Sequence, residues 1–461
     1  MQTQAFTYVI VGNSAAGLAA LEAIRAIDKQ SSIALVSKEP HPAYGRPLIS
    51  YLLEGKTTYD ALWLRPADFY EKQAVTCFFG ESCTAVALDA QAKTLTLANG
   101  SVLSYEECLI ATGSRSANPV IEGISQASTH TAEGKPALGG FVNVQNFLTL
   151  DDAQALREAL EATENPVGCV AVMGGGLTGL KAAEALAGYT KRVLVFKRSA
   201  PILSGVLDQG GAQILTEQLA EHGIECRIGT SISAVQSEGN RVVSATLSDG
   251  SNIAIDALVL ATGVKANAEL AVEAGAQAQR GLVVDRFMQT TLEHVYAAGD
   301  ATQVQDVLDG TTHTLQLWPN AVRQGTVAGY AMARSVTGKA PKLPQKLAAY
   351  DGGFAVNAVD FFGIPLITAG MVNPKDAAEY SVIVRVDNAA RSYAKYVVRD
   401  DVLVGYILLN CSQRAGMLTA LIENHVPLSS LEQDPFEGAP TLMMYEKGQR
   451  QAKLHGIHSC E

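Results

Sequence analysis

Two stretches of the chain share one pattern of apolar and glycine positions. Residues 7–17 read TYVIVGNSAAG, and residues 169–179 read CVAVMGGGLTG. In each stretch a short apolar run predicts a strand, the glycines predict a turn, and a helical pattern follows over 18–27 and 180–186. A second apolar run, at 33–36 and at 193–196, completes each copy. Each copy therefore predicts a strand–helix–strand unit that opens a parallel sheet.

A second repeated motif supports this duplication. Residues 109–114 (LIATGS) and 259–264 (VLATGV) each end a predicted strand in Ala-Thr-Gly. The two repeated motifs together predict two separate dinucleotide-binding sheets in one chain. Between them, residues 114–142 carry Ser, Asn, Pro and Gly and predict a connection or flap, and residues 151–162 predict a charged amphipathic helix.

The last third of the chain has a different pattern, which begins after a linker-like stretch at 339–344. Residues 380–387, 392–399 and 402–409 alternate at period two and predict an antiparallel meander, followed by a helix over 413–424. The predicted fold class is α/β, with two Rossmann-like domains, the second inserted into the first, plus an α+β C-terminal domain. The predicted boundaries are 1–118 and 263–338 for the first domain, 145–262 for the second and 345–461 for the third.

Composition narrows the classes of protein. Hydrophobic residues make up 48% and charged residues 18% of the 461 residues, which excludes a disordered chain. The net charge of −11, with no basic block, makes nucleic acid an unlikely partner. No apolar run approaches the roughly 20 residues that span a bilayer, and no signal peptide is recognisable, so we predict a cytoplasmic protein without membrane insertion.

Cysteine usage argues against a disulfide framework and against a thiol–disulfide redox motif. The seven cysteines are odd in number and include no Cys-x-x-Cys pair. His455, His458 and Cys460 close the chain at a spacing that could ligate zinc. A loosely held terminus is the alternative interpretation, and we predict no metal site.

The first glycine loop predicts a dinucleotide site. Gly12, Ser14 and Gly17 occupy the three positions of the G-x-G-x-x-G pattern, with Ala15 and Ala16 opening the helix. A helix N-terminus there offers free N–H groups to a pyrophosphate, and Glu39, after the next strand, can hydrogen-bond a ribose. The alternative is a glycine turn in an ordinary α/β protein.

The second loop carries all three glycines, Gly174, Gly176 and Gly179. Where an NAD site usually has an acid, this chain has Lys197 and Arg198. Basic residues accommodate a 2′-phosphate, so the pair favours NADPH over NADH. The alternative is a solvated basic pair at the end of a strand.

These features, together with three further segments, resemble a known superfamily. Residues 295–300 (VYAAGD), 39–48 (EPHPAYGRPL) and 317–325 (LWPNAVRQG) complete the pattern. Over residues 7–335 the chain resembles the FAD-dependent pyridine nucleotide-disulfide oxidoreductases, and within them NADH:rubredoxin reductases and the flavin domain of assimilatory nitrite reductases. Residues 357–365 (NAVDFFGIP) resemble the FAD/NAD oxidoreductases that accompany carbon monoxide dehydrogenases.

The resemblance implies that the first sheet binds FAD and the second binds the nicotinamide nucleotide. Arg46 and Pro47 would lie beside the flavin, Asp300 would bond its ribityl or pyrophosphate region, and Trp318 and Pro319 would lie at the isoalloxazine edge. The predicted cofactor-binding residues are Gly12, Ser14, Ala15, Ala16, Gly17, Glu39, Arg46, Pro47, Ala111, Thr112, Gly113, Gly299, Asp300, Trp318 and Pro319 for FAD, and Gly174, Gly176, Gly179, Lys197 and Arg198 for NADPH or NADH.

Two departures from the superfamily change the expected chemistry. Residues 46–55 contain no cysteine, so the resemblance implies no dithiol relay. Relatives carry a Glu where this chain has Lys181, and pair it with a Lys where this chain has Tyr51. We assign Lys181 and Tyr51 as candidate catalytic residues, with Lys181 supplying positive charge near the reduced flavin. The alternative for Lys181 is a surface lysine on a helix.

The predicted function is an FAD-dependent NAD(P)H oxidoreductase that passes electrons to a small iron–sulfur protein such as rubredoxin or ferredoxin. An NAD(P)H oxidase or quinone reductase, and a redox-silent FAD-binding regulatory subunit, are the alternatives. The resemblance also implies a homodimer whose interface lies in the C-terminal domain.

Overall fold

The structure is a computed structural model and describes residues 3–125, 137–162, 167–339, 342, 344–437 and 444–454. Its helices are α1 (Ala15–Ile27), α2 (Ile49–Leu53), α3 (Phe69–Lys72), α4 (Leu150–Glu161), α5 (Leu177–Leu186), α6 (Gln209–Glu221), α7 (Glu269–Glu273), α8 (Trp318–Thr337), α9 (Gln345–Ala348), α10 (Ala415–Glu423) and α11 (Lys447–Leu454). Its strands are β1 (Thr3–Ala5), β2 (Tyr8–Val11), β3 (Ile33–Ser37), β4 (Val75–Phe79), β5 (Ala85–Asp89), β6 (Thr94–Leu97), β7 (Val102–Ser104), β8 (Glu107–Ile110), β9 (Ser114–Ser116), β10 (Val144–Asn146), β11 (Val170–Met173), β12 (Val193–Lys197), β13 (Ile224–Ile228), β14 (Ile232–Glu238), β15 (Arg241–Leu247), β16 (Asn252–Ala254), β17 (Ala257–Leu260), β18 (Val264–Ala266), β19 (Val295–Ala297), β20 (Val304–Gln305), β21 (Thr312–His313), β22 (Val356–Phe361), β23 (Ile364–Gly370), β24 (Ser381–Asp387), β25 (Ser392–Arg399) and β26 (Val402–Leu409).

The chain divides into two compact units. The first unit consists of Met1–Pro119, Leu148–Gln154 and Gly263–Phe354. Its main sheet is parallel, in the order β19-β8-β2-β3-β4. Strand β2 is fully buried, as expected for a strand covered on both faces. The smaller sheet β1-β7-β6-β5 contributes buried leucines to the same apolar core.

Helices α1 and α8 of the first unit approach each other closely. A Cβ atom on Gly325 would lie 2.1 Å from the carbonyl oxygen of Ala16, and one on Gly329 would lie 2.4 Å from that of Ala20. Only glycine permits this approach. The contact fixes the start of α1, which carries the first glycine loop.

The second unit consists of Val120–Phe147, Ala155–Thr262 and Ala355–Glu461. Its parallel sheet has the order β10-β17-β11-β12-β13, and the strands β14-β15-β16 form an antiparallel sheet. The C-terminal strands form an antiparallel sheet in the order β22-β23-β26-β25-β24.

The predicted fold class is confirmed. Two parallel sheets are present, and the chain of the second is inserted between the strands of the first. Strands β25 and β26 coincide with the predicted runs at 392–399 and 402–409, and α10 lies within the predicted helix at 413–424. The hairpin β22–β23, which joins the sheet through β26, was not predicted. The predicted domain boundaries stay a prediction, and the central part of the predicted flap, 126–136, lies outside the described residues.

Candidate functional site

The first glycine loop is shaped by close backbone contacts. Gly12 has φ +124°, and a Cβ atom there would lie 2.0 Å from the carbonyl oxygen of Ala111. A Cβ atom on Gly17 would lie 1.9 Å from the carbonyl oxygen of Gly12, so both positions require glycine. Ser14 is the N-cap residue of α1, yet its side chain makes no capping hydrogen bond. The N–H groups of the first turn of α1 therefore have no side-chain cap, as a pyrophosphate site requires.

A network of side chains joins Arg46 to this loop. Its guanidinium donates to the Oγ of Ser14 over 3.3 Å and to the carbonyl oxygen of Leu148 over 3.4 Å. It also pairs with one carboxylate oxygen of Glu39, whose other oxygen accepts a 2.6 Å hydrogen bond from Tyr44. The structure thus brings Ser14, Glu39 and Arg46 together, and both oxygens of Glu39 have partners within the chain.

The same network extends to the start of α4. The hydroxyl of Tyr44 accepts the N–H of Leu150 over 3.0 Å, and Nε2 of His41 lies 2.6 Å from Oδ1 of Asp151. The hydrogen bond to Asp151 raises the pKa of His41 above its ordinary value. Residues 39–46 are therefore bound to the glycine loop through Arg46 and to the start of α4 through His41 and Tyr44.

The first Ala-Thr-Gly turn is braced by a residue that sequence reasoning missed. The hydroxyl of Thr112 donates to the carbonyl oxygen of Asn267 over 2.6 Å, and the Asn267 amide donates to the carbonyl oxygen of Thr112 over 3.0 Å. Gly113 has φ +69° and open space where a Cβ would lie. Asn267 lies four residues after the second Ala-Thr-Gly, which is the only sequence signal that could have pointed to it.

Asp300 lies in the turn after β19, beside the start of α1. A Cβ atom on Gly299 would lie 3.1 Å from Cβ of Ala16, so the two turns are in contact. The hydroxyl of Ser114, also missed from sequence, donates to Asp300 over 2.8 Å. Burial raises the pKa of Asp300, although Ser114 and the charge of Arg46 oppose this.

Two further segments contribute predicted residues. Trp318 and Pro319 form the first turn of α8, which has no side-chain cap. Pro47 lies in the short turn that precedes α2, and Tyr51 lies on α2 with the Lys56 ammonium 5.9 Å from its ring centre. The buried Oγ of Ser50 has no hydrogen-bond partner among the described residues. This buried orphan hydroxyl, three residues after Pro47, fits a bound cofactor at this site.

The second glycine loop repeats the first and is more open. Gly174 has φ +130°, and its Cβ would lie 2.0 Å from the carbonyl oxygen of Ala261. A Cβ atom on Gly179 would lie 1.9 Å from the carbonyl oxygen of Gly174. At Gly176, the uncapped N-cap of α5, a Cβ would meet nothing within 4 Å. This open space is where the pattern places a pyrophosphate.

The basic pair lies at the end of β12. Lys197 is half-buried and runs alongside the loop, since a Cβ on Gly175 would lie 3.4 Å from both Cβ and Cδ of Lys197. Arg198 is exposed. The structure therefore brings Lys197 to the glycine loop and leaves Arg198 accessible at the same edge.

Lys181 has partners within its own unit. Its ammonium pairs with Glu184 and donates to the carbonyl oxygen of Asp360 over 3.1 Å. The other carboxylate oxygen of Glu184 accepts the N–H of Phe362 over 2.8 Å. Lys181 and Glu184 thus bind helix α5 to the turn of the hairpin β22–β23. The Lys181 side chain is only 14% exposed, so most of it is covered in this contact.

The described residues provide neither a disulfide relay nor a metal cluster. Residues 46–55 contain no cysteine, and the six described cysteines are free thiols. Over the part of the chain that the structure describes, His, Cys, Asp and Glu form no cluster that could hold a metal ion. His455, His458 and Cys460 lie outside the described residues. Within the described ranges, every helix is too short or too polar to cross a bilayer.

Two uncapped glycine-loop helices, each opening its own parallel sheet, define a class of protein that binds two dinucleotides. Comparison with known proteins agrees. Residues 6–325 match the pyridine nucleotide-disulphide oxidoreductase family, and the chain belongs to this family. Residues 356–426 match the rubredoxin NAD⁺ reductase C-terminal domain.

Several relatives cover most of the chain. Subunit epsilon of the NADH-dependent phenylglyoxylate dehydrogenase of Aromatoleum evansii is 31% identical over 427 residues, which are 92% of this chain and 93% of the relative. The rubredoxin-NAD(+) reductase of Pseudomonas putida is 25% identical over 90% of this chain and 98% of the relative. The assimilatory nitrate reductase electron transfer subunit of Bacillus subtilis is 30% identical over 87% of this chain, but only 47% of that relative is covered.

Solved structures share the fold. The covalent putidaredoxin reductase–putidaredoxin complex contains a chain that matches 99% of this one with a TM-score of 0.77 and 23% identity. The NAD-dependent persulfide reductase from A. fulgidus matches 98% of this chain and 84% of its own length, with a TM-score of 0.80 and 24% identity.

Proposed function

We propose that this enzyme transfers electrons from NAD(P)H through FAD to a small iron–sulfur protein of the rubredoxin or ferredoxin type. One observation carries the proposal: the chain has two dinucleotide loops but no cysteine at 46–55, where a disulfide relay would be needed. The C-terminal match to rubredoxin NAD⁺ reductases supports the same acceptor class. Bound flavin would accept a hydride from the nicotinamide and release the two electrons singly.

The residues of the first unit would hold FAD. The uncapped start of α1 and the Ser14 hydroxyl would bind the pyrophosphate, with Arg46 supplying positive charge beside them. Glu39 would bond the adenosine ribose by exchanging one of its partners, Tyr44 or Arg46, for a ribose hydroxyl. Thr112, Gly113 and Asp300 would close the site at the carboxyl ends of β8 and β19.

The residues of the second unit would hold the nicotinamide nucleotide and prefer NADPH. The phenylglyoxylate dehydrogenase subunit and the rubredoxin reductase carry NADH and NAD(+) in their names, so the preference for NADPH rests on Lys197 and Arg198 alone. Lys197→Glu should shift the preference toward NADH, because a carboxylate repels the 2′-phosphate. Lys191→Glu, an exposed lysine six residues earlier, is the matched control. An unchanged preference in Lys197→Glu would refute the assignment.

Lys181 and Tyr51 remain candidate catalytic residues. Under this proposal Lys181 supplies charge that stabilises anionic reduced flavin, so Lys181→Ala should slow flavin reduction and lower the flavin midpoint potential. The ion pair with Glu184 argues for a smaller effect than a lone ammonium would have. An unchanged potential would remove Lys181 from the chemistry.

The decisive experiment is an anaerobic stopped-flow measurement with NADPH and NADH in turn. Bleaching of the flavin absorbance, followed by reoxidation on adding rubredoxin or a [2Fe–2S] ferredoxin, would support the proposal. Reoxidation by dioxygen or a quinone alone would favour an oxidase or quinone reductase. Absence of bleaching by either nucleotide would favour the redox-silent regulatory subunit. The homodimer and the cytoplasmic location stay predictions from sequence.

A further inference from the structure

The loop that joins β12 to α6 is strained and lies against the second glycine loop. Ala200 has φ +63° and Leu203 has φ +51°, a conformation that side chains other than glycine rarely adopt. The N–H of Leu203 donates to the carbonyl oxygen of Gly175 over 2.7 Å. Ile202 and Leu207 are 1% and 0% exposed, so these two side chains anchor the loop in the apolar core. Its first residue is Arg198.

The C-terminal sheet supplies the contacts that hold this loop. The side-chain amide of Asn373 donates to the carbonyl oxygens of Ser204 and Leu207, over 3.3 and 2.9 Å. The ammonium of Lys395, on β25, donates to Oδ1 of Asn373 over 3.3 Å. Three elements, the loop, residue 373 and strand β25, therefore share one chain of hydrogen bonds.

The chain of hydrogen bonds ends on Asp208, where the loop becomes helix α6. Oδ1 of Asp208 caps the helix by accepting the N–H of Gly211, while Oδ2 lies 3.0 Å from the Lys395 ammonium and 2.6 Å from the Tyr393 hydroxyl. Burial alone would raise the pKa of Asp208, but the hydrogen bonds from Tyr393, Gly211 and Lys395 outweigh burial and lower it. Lys395 is only 7% exposed. Since a buried charge is costly unless paired, this arrangement fixes the loop end.

We propose that Asn373 and Lys395 are positioning residues for the nicotinamide coenzyme. They hold loop 198–207 in its strained form, and the loop in turn sets the position of Gly175 and of the Lys197–Arg198 pair. A strained backbone persists only where its surroundings determine it, so loss of these contacts should relax the loop. The inference rests on the proposed binding of NAD(P)H at the second glycine loop.

Asn373 is the position to change, because it is exposed and its replacement should leave the fold intact. Asn373→Ala removes all three contacts. Asn373→Asp keeps an acceptor for Lys395 but removes both donors to the loop carbonyls. Arg391→Ala is the matched control, since exposed Arg391 lies at the turn before the same strand β25 and pairs with Glu221 on α6, away from the loop.

Binding and backbone exchange are the readouts, measured on the FAD-loaded full chain. We expect the NADPH dissociation constant to rise about five- to tenfold in both Asn373 variants, as expected for the loss of one to two hydrogen bonds. The NADH constant should rise less, because NADH lacks the phosphate that Arg198 and Lys197 would face. Hydrogen–deuterium exchange in residues 199–207 should accelerate, with the melting temperature and the limiting rate of flavin reduction unchanged.

The outcomes separate this inference from the proposed function. Unchanged dissociation constants in the Asn373 variants, with tight NADPH binding by the wild-type protein, would overturn the inference and leave the proposed function standing. An equal rise of the NADPH dissociation constant in Arg391→Ala would also overturn the inference, because any disturbance near strand β25 would then be enough to weaken NADPH binding. Failure of the wild-type protein to bind either nucleotide would overturn the proposed function and the inference with it.

Discussion

Replacing Lys181 by methionine tests how helix α5 is joined to the C-terminal sheet. The substitution removes the ammonium but keeps a long apolar side chain over the ring of Phe361, whose centre lies 5.7 Å from the ammonium. It leaves the carboxylate of Glu184, which is 1% exposed, with the N–H of Phe362 as its remaining partner in this network. We therefore expect a large loss of stability.

The magnitude follows from burial. Breaking a fully buried ion pair by removing one partner costs about 3–5 kcal/mol. The Lys181 side chain is 14% exposed, so some solvation of the pair already exists, and we expect a cost of about 2–3 kcal/mol. At roughly 2–4 °C per kcal/mol for a unit of this size, the melting temperature should fall by about 5–10 °C.

A double-mutant cycle isolates the pair. Glu184→Gln keeps an acceptor for Phe362 and removes the charge, and combining it with Lys181→Met removes both charges together. The double variant should be more stable than the sum of the single losses predicts, by about 1–2 kcal/mol. Lys191→Met, at an exposed lysine, is the control and should change stability little.

The free energy of unfolding of each variant can be measured by urea titration, with far-ultraviolet circular dichroism as the signal. Strictly additive losses, or a stable Lys181→Met protein, would show that the pair does not support the hairpin. Measuring the flavin midpoint potential of the same variants separates a structural role of Lys181 from a chemical one. If Lys181 holds the hairpin, Lys181→Met and Glu184→Gln should both lose stability. If Lys181 acts on the flavin, loss of its charge should lower the flavin midpoint potential.

Two further predictions concern the loops and pH. Gly174→Ala should destabilise the second unit by on the order of 3 kcal/mol through backbone strain and contact with a carbonyl oxygen. Gly176→Ala should keep the wild-type melting temperature but bind NADPH about tenfold more weakly, because its methyl group would enter the open space proposed for the phosphate. Equal melting temperatures of the two variants would contradict this prediction. Because its hydrogen bond to Asp151 raises the pKa of His41, that pair should stabilise the first unit below the ordinary histidine pKa and lose this contribution as pH rises through the raised pKa. The stability difference between wild type and His41→Gln, up to about 1 kcal/mol for this partly exposed pair, should therefore shrink in alkaline urea titrations; a difference that grows with pH would contradict the pairing.

Local sequence signals predicted the elements that depend on neighbouring residues. The apolar runs at 392–399 and 402–409 became strands β25 and β26 with the predicted bounds, and Asp400 and Asp401 form their turn with φ of +51° and +64°. The glycine loops were also placed correctly at the starts of α1 and α5. In these cases the hydrophobic period and the glycine requirement are properties of a few consecutive residues.

Contacts between distant residues could not be read in the same way. Asn267 braces Thr112 across 155 positions, and Asn373 reaches Leu207 across 166 positions. The position of Asn267 after the second Ala-Thr-Gly is a weak sequence signal, and Asn373 lies in no recognisable pattern. Each asparagine acquires its role only when tertiary folding places its amide beside a distant carbonyl oxygen. An asparagine in any other loop would look the same in the sequence without making that contact.

The structure gives a reason for the lysine at position 181, where the resemblance leads one to expect a glutamate. The sequence displayed Lys181 and Glu184 one helical turn apart, a spacing that places two side chains on one face. The structure adds that this face is buried against the turn of β22–β23, where a second carboxylate at 181 would repel Glu184 in a site with little solvent to screen it. The lysine is thus the charge that Glu184 requires, and the change of sign at 181 does not by itself demand a flavin partner. Helix α5 carries Gly176 at its N-cap, so the ion pair that holds the hairpin also anchors the helix whose N-terminus we propose as the nicotinamide nucleotide site.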